Sequence, residues 1–215
     1  NMCWFYNQSR QWKKTRPLCH KAGGGPCHVV GKAGVCYATY RGDTAVALVA
    51  LGAEAKIRSR GGERTVALEE LFTGDGKSPL ALAATELIAE LRVPRPAGAS
   101  GSAFCKVSHR KAVDYAQASA GAWLRLEPGD GKCAEARIVL GAVETRPVRA
   151  AKAEALLTGR ELTPELLEQA AEAAVSHARP LKNMTFGSPE YRRKMVRTLT
   201  RKALGEALVQ ARRPK

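Results

Sequence analysis

Four cysteines lie within the first 36 residues of this 215-residue chain, and they constrain its fold more than any other feature. Cys3, Cys19, Cys27 and Cys36 are separated by 15, 7 and 8 residues, in a stretch rich in glycine and polar side chains. That composition predicts an irregular loop, and a loop of this length usually needs a function or a ligand to order it. Four thiolates from one loop can hold either a zinc ion or a 4Fe–4S cluster.

Spacing and charge favour the cluster. Zinc knuckles generally take two ligands from a C-x2-4-C turn, and this loop has no such pair. No acidic residue precedes Asp43, whereas seven lysines and arginines do. An oxidised cluster with four thiolates carries a net charge of about −2, which this basic loop offsets. Zinc, and the absence of any metal, stay open as alternatives.

The other cysteines and the histidines are expected to play supporting roles. Cys105 and Cys133 stand alone in apolar surroundings, as small buried side chains do. Four clustered and two isolated cysteines fit a metal site in a reducing compartment better than a disulfide framework. His20 and His28 each follow a cysteine and are predicted not to be ligands. The glycines at 23–25 lack the strand and helix that a phosphate-binding loop needs, and are predicted to give the loop slack.

The formal net charge of +15 indicates an anionic partner, such as nucleic acid, an acidic protein or a cofactor. The basic block at 192–202 is predicted to be a solvated helix face. No run of 18 apolar residues occurs, so no membrane span is expected. The start at Asn1 lacks a secretory pattern, which predicts a cytoplasmic protein. We also expect that residues preceding Asn1 are missing.

Downstream of the loop, Gly, Pro and capping residues divide the chain into predicted elements. Asp43 or Thr44 is expected to cap the first helix, and the Pro/Gly-rich stretch 94–102 to mark a domain boundary. The pattern predicts an α+β fold. The predicted helices and strands are a helix at 45–51, a hairpin at 55–68 around Gly61-Gly62, strands at 86–93, 102–108, 115–126 and 134–143, and helices at 148–157, 164–177 and 188–211.

Several separate motifs, including Asp43–Leu48, Ser102–Lys106, Ala136–Val143 and Gly187–Arg193, resemble the flavoprotein subunits of molybdenum hydroxylases. That family includes xanthine dehydrogenase and aerobic carbon monoxide dehydrogenase. The resemblance implies the C-terminal lobe of a two-lobed FAD-binding domain with an inserted iron–sulfur loop. A small domain of antiparallel strands plus a C-terminal helical bundle would follow. The implied domains are the cysteine-rich loop at 1–41, the C-terminal part of the FAD-binding domain at 42–97, and the flavoprotein C-terminal domain at 98–215.

The cysteine loop is similar to that of the 4-hydroxybenzoyl-CoA reductase branch, whose β subunit carries an extra 4Fe–4S cluster. This implies that Cys3, Cys19, Cys27 and Cys36 are its ligands. The family's glycine-rich pyrophosphate motifs are not in this chain, so FAD would be shared with a missing N-terminal lobe.

Three FAD contacts follow from matching positions. The resemblance implies that Asp43 contacts FAD, that Ile88 packs near the flavin, and that Lys106 reaches the isoalloxazine, where a cation stabilises negative charge on the reduced ring. A plain surface lysine on a strand is the alternative for Lys106. No catalytic residue is implied.

The implied function is an electron-transfer subunit of a molybdenum-containing oxidoreductase that degrades aromatic acyl-CoA compounds, incomplete as a catalyst alone. Electrons would pass from a ferredoxin-like donor through 4Fe–4S and FAD to a 2Fe–2S small subunit and a molybdenum-cofactor large subunit. We expect the acid-free surface of residues 1–41 to dock the donor. A zinc-stapled, basic nucleic-acid-binding protein is the rival hypothesis, and a remnant that cannot hold FAD is a third.

Overall fold

The computed structural model describes residues 1–31, 34–96, 98–182 and 187–213; Lys32, one of the loop's basic residues, lies outside them. None of the helices in these ranges is both long and apolar enough to span a bilayer. The elements, in chain order, are α1 (Arg10–Lys14), α2 (Asp43–Ala50), β1 (Glu54–Ser59), β2 (Gly62–Ala67), β3 (Leu87–Arg92), β4 (Ser100–Val107), β5 (Ala118–Leu126), β6 (Cys133–Gly141), β7 (Val148–Arg149), α3 (Ala151–Leu157), α4 (Pro164–Val175) and α5 (Pro189–Ala211).

The first sheet has three antiparallel strands in the order β2-β1-β3. β1 and β2 form the predicted hairpin, in which Ser59 pairs with Gly62. Along β1, Ala55 and Ile57 are buried in a cluster that also contains Val46 of α2, as expected for a half-buried strand. β3 is the exposed neighbour of β1, and a β-bulge interrupts its register.

The second sheet has four antiparallel strands in the order β4-β5-β6-β7 and is covered on both faces. Helices α3 to α5 contribute to the large apolar core on one face. On the other face α2 packs closely on the strands. A Cβ added at Gly141 of β6 would lie only 2.5 Å from Val46 Cγ2 of α2. Coverage of both faces explains why nearly every residue of β5 is buried.

Several predicted boundaries were wrong. Val148 and Arg149 form strand β7, paired with β6, instead of starting a helix. Val148 is β-branched, and β-branched residues are favoured in strands. Gly42, rather than Asp43 or Thr44, is the N-cap of α2. The irregular loop contains α1, where Ser9 Oγ accepts the Trp12 N–H at 3.1 Å. The three C-terminal helices, α3 to α5, form a layer on one face of the second sheet.

The basic block at 192–202 is the predicted solvated helix face at Lys194, Arg197, Arg201 and Lys202, which are exposed, but not at Arg192. Arg192 is fully buried, and its guanidinium donates hydrogen bonds to the carbonyls of Gln117, Leu181 and Ala142. This burial lowers the pKa of Arg192 to about 10. Farther along α5, Arg197 and Arg201 pair with Glu168 of α4. These side chains join α5 to its neighbours, which weakens the case for a basic nucleic-acid-binding surface there.

Candidate metal centre and flavin contacts

All four cysteines of the N-terminal loop line one small cavity. Cys19, Cys27 and Cys36 are buried, Cys3 is half-buried, and none of them forms a disulfide. Segments up to 33 residues apart in sequence therefore line one thiol-lined space. Cys105 and Cys133 are buried elsewhere, in the core of the second sheet, which confirms that they are structural. Burial raises the pKa of Cys133 to about 11.

The two ends of the loop are fastened beside each other. Met2 and Thr39 exchange backbone hydrogen bonds of 2.8 and 2.9 Å, which brings Cys3 next to the end of the loop. The Asn1 side chain donates to the carbonyls of Ala38 at 2.8 Å and Thr145 at 2.7 Å. The loop is thus attached to the C-terminal part of the chain by a residue that sequence reasoning did not single out.

The turn at Cys19 depends on a glycine. The Cys19 carbonyl accepts the N–H groups of Ala22 and Gly24, both at 2.9 Å. A Cβ at Gly24 would lie 1.8 Å from the Leu18 carbonyl oxygen, whereas one at Gly25 would meet nothing within 4 Å. The prediction that this glycine run supplies slack was therefore wrong for Gly24, because its backbone passes too close to Leu18 for any side chain.

A small aromatic centre supports the cavity wall. Phe5 is buried, with Trp12 edge-on at 5.4 Å and His28 stacked at 4.6 Å between ring centroids. His28 Nε2 lies 2.9 Å from the carbonyl of Pro17, so this nitrogen carries the proton and donates it. His20 and His28 both line the cavity, and their exclusion from the ligand set stays a prediction.

The donor set at this cavity is four thiols from a basic segment with no acidic residue. Within the described ranges, no group of three or more His, Cys, Asp or Glu side chains is arranged to hold a metal ion. A 4Fe–4S cluster binds one thiolate at each of four irons, and a structural zinc site can also take four cysteines. The number and type of donors match both groups.

One contact to the cysteines comes from a distant loop. The carboxylate of Asp75 accepts the Cys36 N–H at 2.9 Å, and the Gly76 N–H donates to the Cys36 carbonyl at 2.7 Å. Burial opposes ionisation of Asp75, but the N–H groups of Lys77 and Cys36 outweigh it and lower its pKa. The sequence showed only a Gly-Asp-Gly turn, with no sign that it would reach a cysteine.

A basic groove of about 1140 Å³, measured to open solvent, adjoins the cavity. Lys13 donates to the Tyr6 carbonyl at 2.7 Å, and the Arg16 guanidinium stacks 3.5 Å from the Trp12 ring centroid. The walls combine Phe5, Tyr6 and Cys19 with four cationic side chains, which are Arg10, Lys13, Lys14 and Arg16.

Two of the three residues predicted to contact the flavin, Asp43 and Lys106, contact each other. Lys106 on β4 forms an ion pair with Asp43 at the start of α2, and Lys106 Nζ also donates to the Asp114 carbonyl at 3.1 Å. Asp43 Oδ1 is buried without a hydrogen-bond partner. Ile88 lies on β3 of the other sheet, with 36% of its surface exposed. The roles of these three residues in binding FAD stay a prediction.

The chain matches two family profiles. Residues 28–96 match the FAD binding domain in molybdopterin dehydrogenase, and residues 103–207 match the CO dehydrogenase flavoprotein C-terminal domain. Three of the four loop cysteines, Cys3, Cys19 and Cys27, lie before the first match.

Individual relatives agree with these profiles. Over 168 residues the chain is 37% identical to the 6-hydroxypseudooxynicotine dehydrogenase complex subunit alpha of Paenarthrobacter nicotinovorans, covering 78% of this chain and 55% of the relative. It is 32% identical over 161 residues to the carbon monoxide dehydrogenase medium chain of Afipia carboxidovorans, covering 75% and 54%. A carbon monoxide dehydrogenase structure from Hydrogenophaga pseudoflava superposes with a TM-score of 0.71 at 28% identity, covering 78% and 56%. The chain therefore spans about half the length of the relatives it matches.

Proposed function

Because the chain belongs, over residues 28–96 and 103–207, to the family of FAD-binding medium subunits of xanthine and carbon monoxide dehydrogenases, we propose that it is an electron-transfer subunit of a molybdenum-containing oxidoreductase. The observation that carries the proposal is the cavity lined by four cysteines directly before the flavoprotein fold. The finer proposal is a reductase of aromatic acyl-CoA compounds similar to 4-hydroxybenzoyl-CoA reductase. Its support is the cysteine spacing alone.

The proposed ligands of the 4Fe–4S cluster are Cys3, Cys19, Cys27 and Cys36. The cluster would supply one-electron transfer at a potential that its surroundings set. This chain's own residues hold the four sulfurs around one space and close most of it to water, since three of the cysteines are buried. The surrounding lysines and arginines offset the negative charge of four thiolates and so favour assembly.

The proposed flavin contacts are Asp43, Lys106 and Ile88. Asp43, whose buried Oδ1 has no hydrogen-bond partner, would contact FAD, and Lys106, which pairs with Asp43, would bring a positive charge to the ring. Ile88 would offer apolar surface to it. The pyrophosphate needs an N-terminal lobe that these residues do not include, so we propose that this lobe completes the FAD site.

The proposed partners are a molybdenum-cofactor large subunit, a 2Fe–2S small subunit and an acidic, ferredoxin-like electron donor. Support for the donor comes from the basic groove, which shares Phe5, Tyr6 and Cys19 with the cysteine cavity. A positive surface beside a redox centre raises the rate of encounter with an acidic protein, and salt weakens this steering. The cytoplasm is the proposed compartment, in keeping with free thiols.

Charge reversal in the groove tests this function. In the protein assembled with its partner subunits, the double variant Lys13→Glu/Lys14→Glu should be reduced by an acidic ferredoxin about tenfold more slowly at low salt, with a flatter salt dependence. Lys152→Glu, an exposed lysine at the start of α3, is the matched control and should react at the wild-type rate. Stopped-flow absorbance under anaerobic conditions measures both. Equal rates and equal salt dependence for the double variant and wild type would refute the docking surface.

A further inference from the structure

The tetrapeptide Gly-Asp-Gly-Lys occurs twice in the chain, at 74–77 and at 129–132. In both turns the aspartate Oδ1 accepts the N–H of the lysine two residues later, at 2.8 Å for Asp75 and 3.0 Å for Asp130. Asp75 Oδ1 makes a second contact, because it also accepts the Cys36 N–H at 2.9 Å. The same short sequence thus closes an ordinary turn in one place and contacts a cysteine of the proposed cluster site in the other.

The backbone of the first turn is held by hydrogen bonds on both sides of Asp75. Thr73 Oγ1 accepts the Asp75 N–H at 3.0 Å and donates to the Ser78 carbonyl at 2.6 Å. The Gly76 N–H donates to the Cys36 carbonyl at 2.7 Å, so the turn holds both backbone polar groups of Cys36. Gly76 also lies against the chain after Cys36, since a Cβ there would be 2.9 Å from Ala38 Cβ.

The Asp75 carboxylate brings negative charge to a segment with no acidic residue of its own, since residues 1–42 contain neither Asp nor Glu. Negative charge beside an iron–sulfur cluster disfavours its reduction, because reduction adds another electron to an anionic centre.

We infer that Asp75 is a positioning residue for Cys36 and that its charge keeps the reduction potential of the bound cluster low. The inference deepens the proposed function and rests on the cluster proposed there. The turn residues hold the Cys36 backbone, and the ionised carboxylate sets the local field. Only the turn at Asp75 is expected to have this effect. In the hydrogen bonds described, Asp130 contacts only residues of its own loop.

The test is Asp75→Asn, which keeps an oxygen acceptor and removes the charge, with Asp130→Asn as the matched control. Both are purified anaerobically, assayed for iron and acid-labile sulfide, and titrated redox-potentiometrically with EPR detection. Asp75→Asn should retain the wild-type iron content and have a higher midpoint potential. At a fixed solution potential the ratio of reduced to oxidised cluster should rise about tenfold, or ~59 mV for a one-electron couple. Asp130→Asn should match the wild type.

The outcomes separate this inference from the proposed function. Iron and sulfide in the wild type, with an unchanged midpoint in Asp75→Asn, would overturn the role of Asp75 and leave the cluster standing. A wild-type protein without iron and sulfide would overturn both. Asp75→Ser supplies a second neutral acceptor, and a rise in its midpoint would support the inference even if the asparagine variant folded poorly. A wild-type midpoint in the serine variant would count against it.

Discussion

The cysteine-rich segment at 1–42 and the C-terminal unit at 98–213 are ordered by different forces. In the described part of the segment, the buried apolar residues are only Phe5, Ala38 and three cysteines. Turns and backbone hydrogen bonds hold the rest of the segment in place. In the C-terminal unit, a continuous apolar core joins the second sheet to three helices. Hydrophobic burial can therefore stabilise the second region without a ligand, whereas we propose that the first depends on a group bound between its thiols.

The largest expected effect is the loss of a proposed ligand. Cys19→Ser should lose nearly all iron from the purified protein, and residues 1–42 should become sensitive to trypsin, since this segment is rich in Lys and Arg. The thermal unfolding of the C-terminal core should stay close to that of the wild type. Iron analysis, limited proteolysis and calorimetry on the same sample measure the three quantities.

Cys105→Ala is the control for this comparison. Cys105 is buried against the C-terminal core, so its loss should lower the unfolding temperature and leave the iron content unchanged. Full iron content in Cys19→Ser would show that the two regions do not differ in the way described.

The converse experiment disturbs the C-terminal unit. Arg192→Leu removes the donor for three carbonyl oxygens of Gln117, Leu181 and Ala142. It should lower the free energy of unfolding by about 2–4 kcal/mol, since unsatisfied buried acceptors cost ~1–3 kcal/mol each and removal of a buried charge offsets part of that. Chemical denaturation followed by circular dichroism measures this change. Lys194→Leu, at an exposed position of the same helix, should change the unfolding free energy by less than about 0.5 kcal/mol, and equal effects would contradict the role of Arg192.

A smaller effect is expected at the turn that presents Cys19. Gly24→Ala should cost about 1–3 kcal/mol of local stability, because the new Cβ would overlap the Leu18 carbonyl oxygen. The expected result is a lower iron occupancy with unchanged unfolding of the C-terminal core. Gly25→Ala meets nothing within 4 Å and should keep full iron occupancy. Identical iron contents in the two variants would show that the turn at Gly24 is not needed for the site.

Features set by neighbouring residues could be predicted from the sequence. Thr163 and Ser188, each directly before a proline, cap α4 and α5, and each accepts a backbone N–H three residues later. The Gly61-Gly62 hairpin and the strands of the second sheet also follow from local pattern, with ends displaced by a few residues. The four cysteines line one cavity, and their role as ligands stays a prediction.

The contacts that the sequence did not reveal join distant segments. Asp75 and Cys36 are 39 residues apart, and Asn1 and Thr145 are 144 apart. Arg192 resembled its basic neighbours, yet it fits among carbonyls from three other segments. No local pattern distinguishes such residues, because their partners are set by how the two sheets and the loop pack together.

The most direct test of the central claim is iron, zinc and acid-labile sulfide analysis, with EPR, on anaerobically purified protein. We predict about four irons and four sulfides per chain, with an EPR signal in the reduced state. One zinc per chain and no sulfide would contradict the proposed electron-transfer role of the cysteine segment and would make it a structural zinc site on a flavoprotein fold.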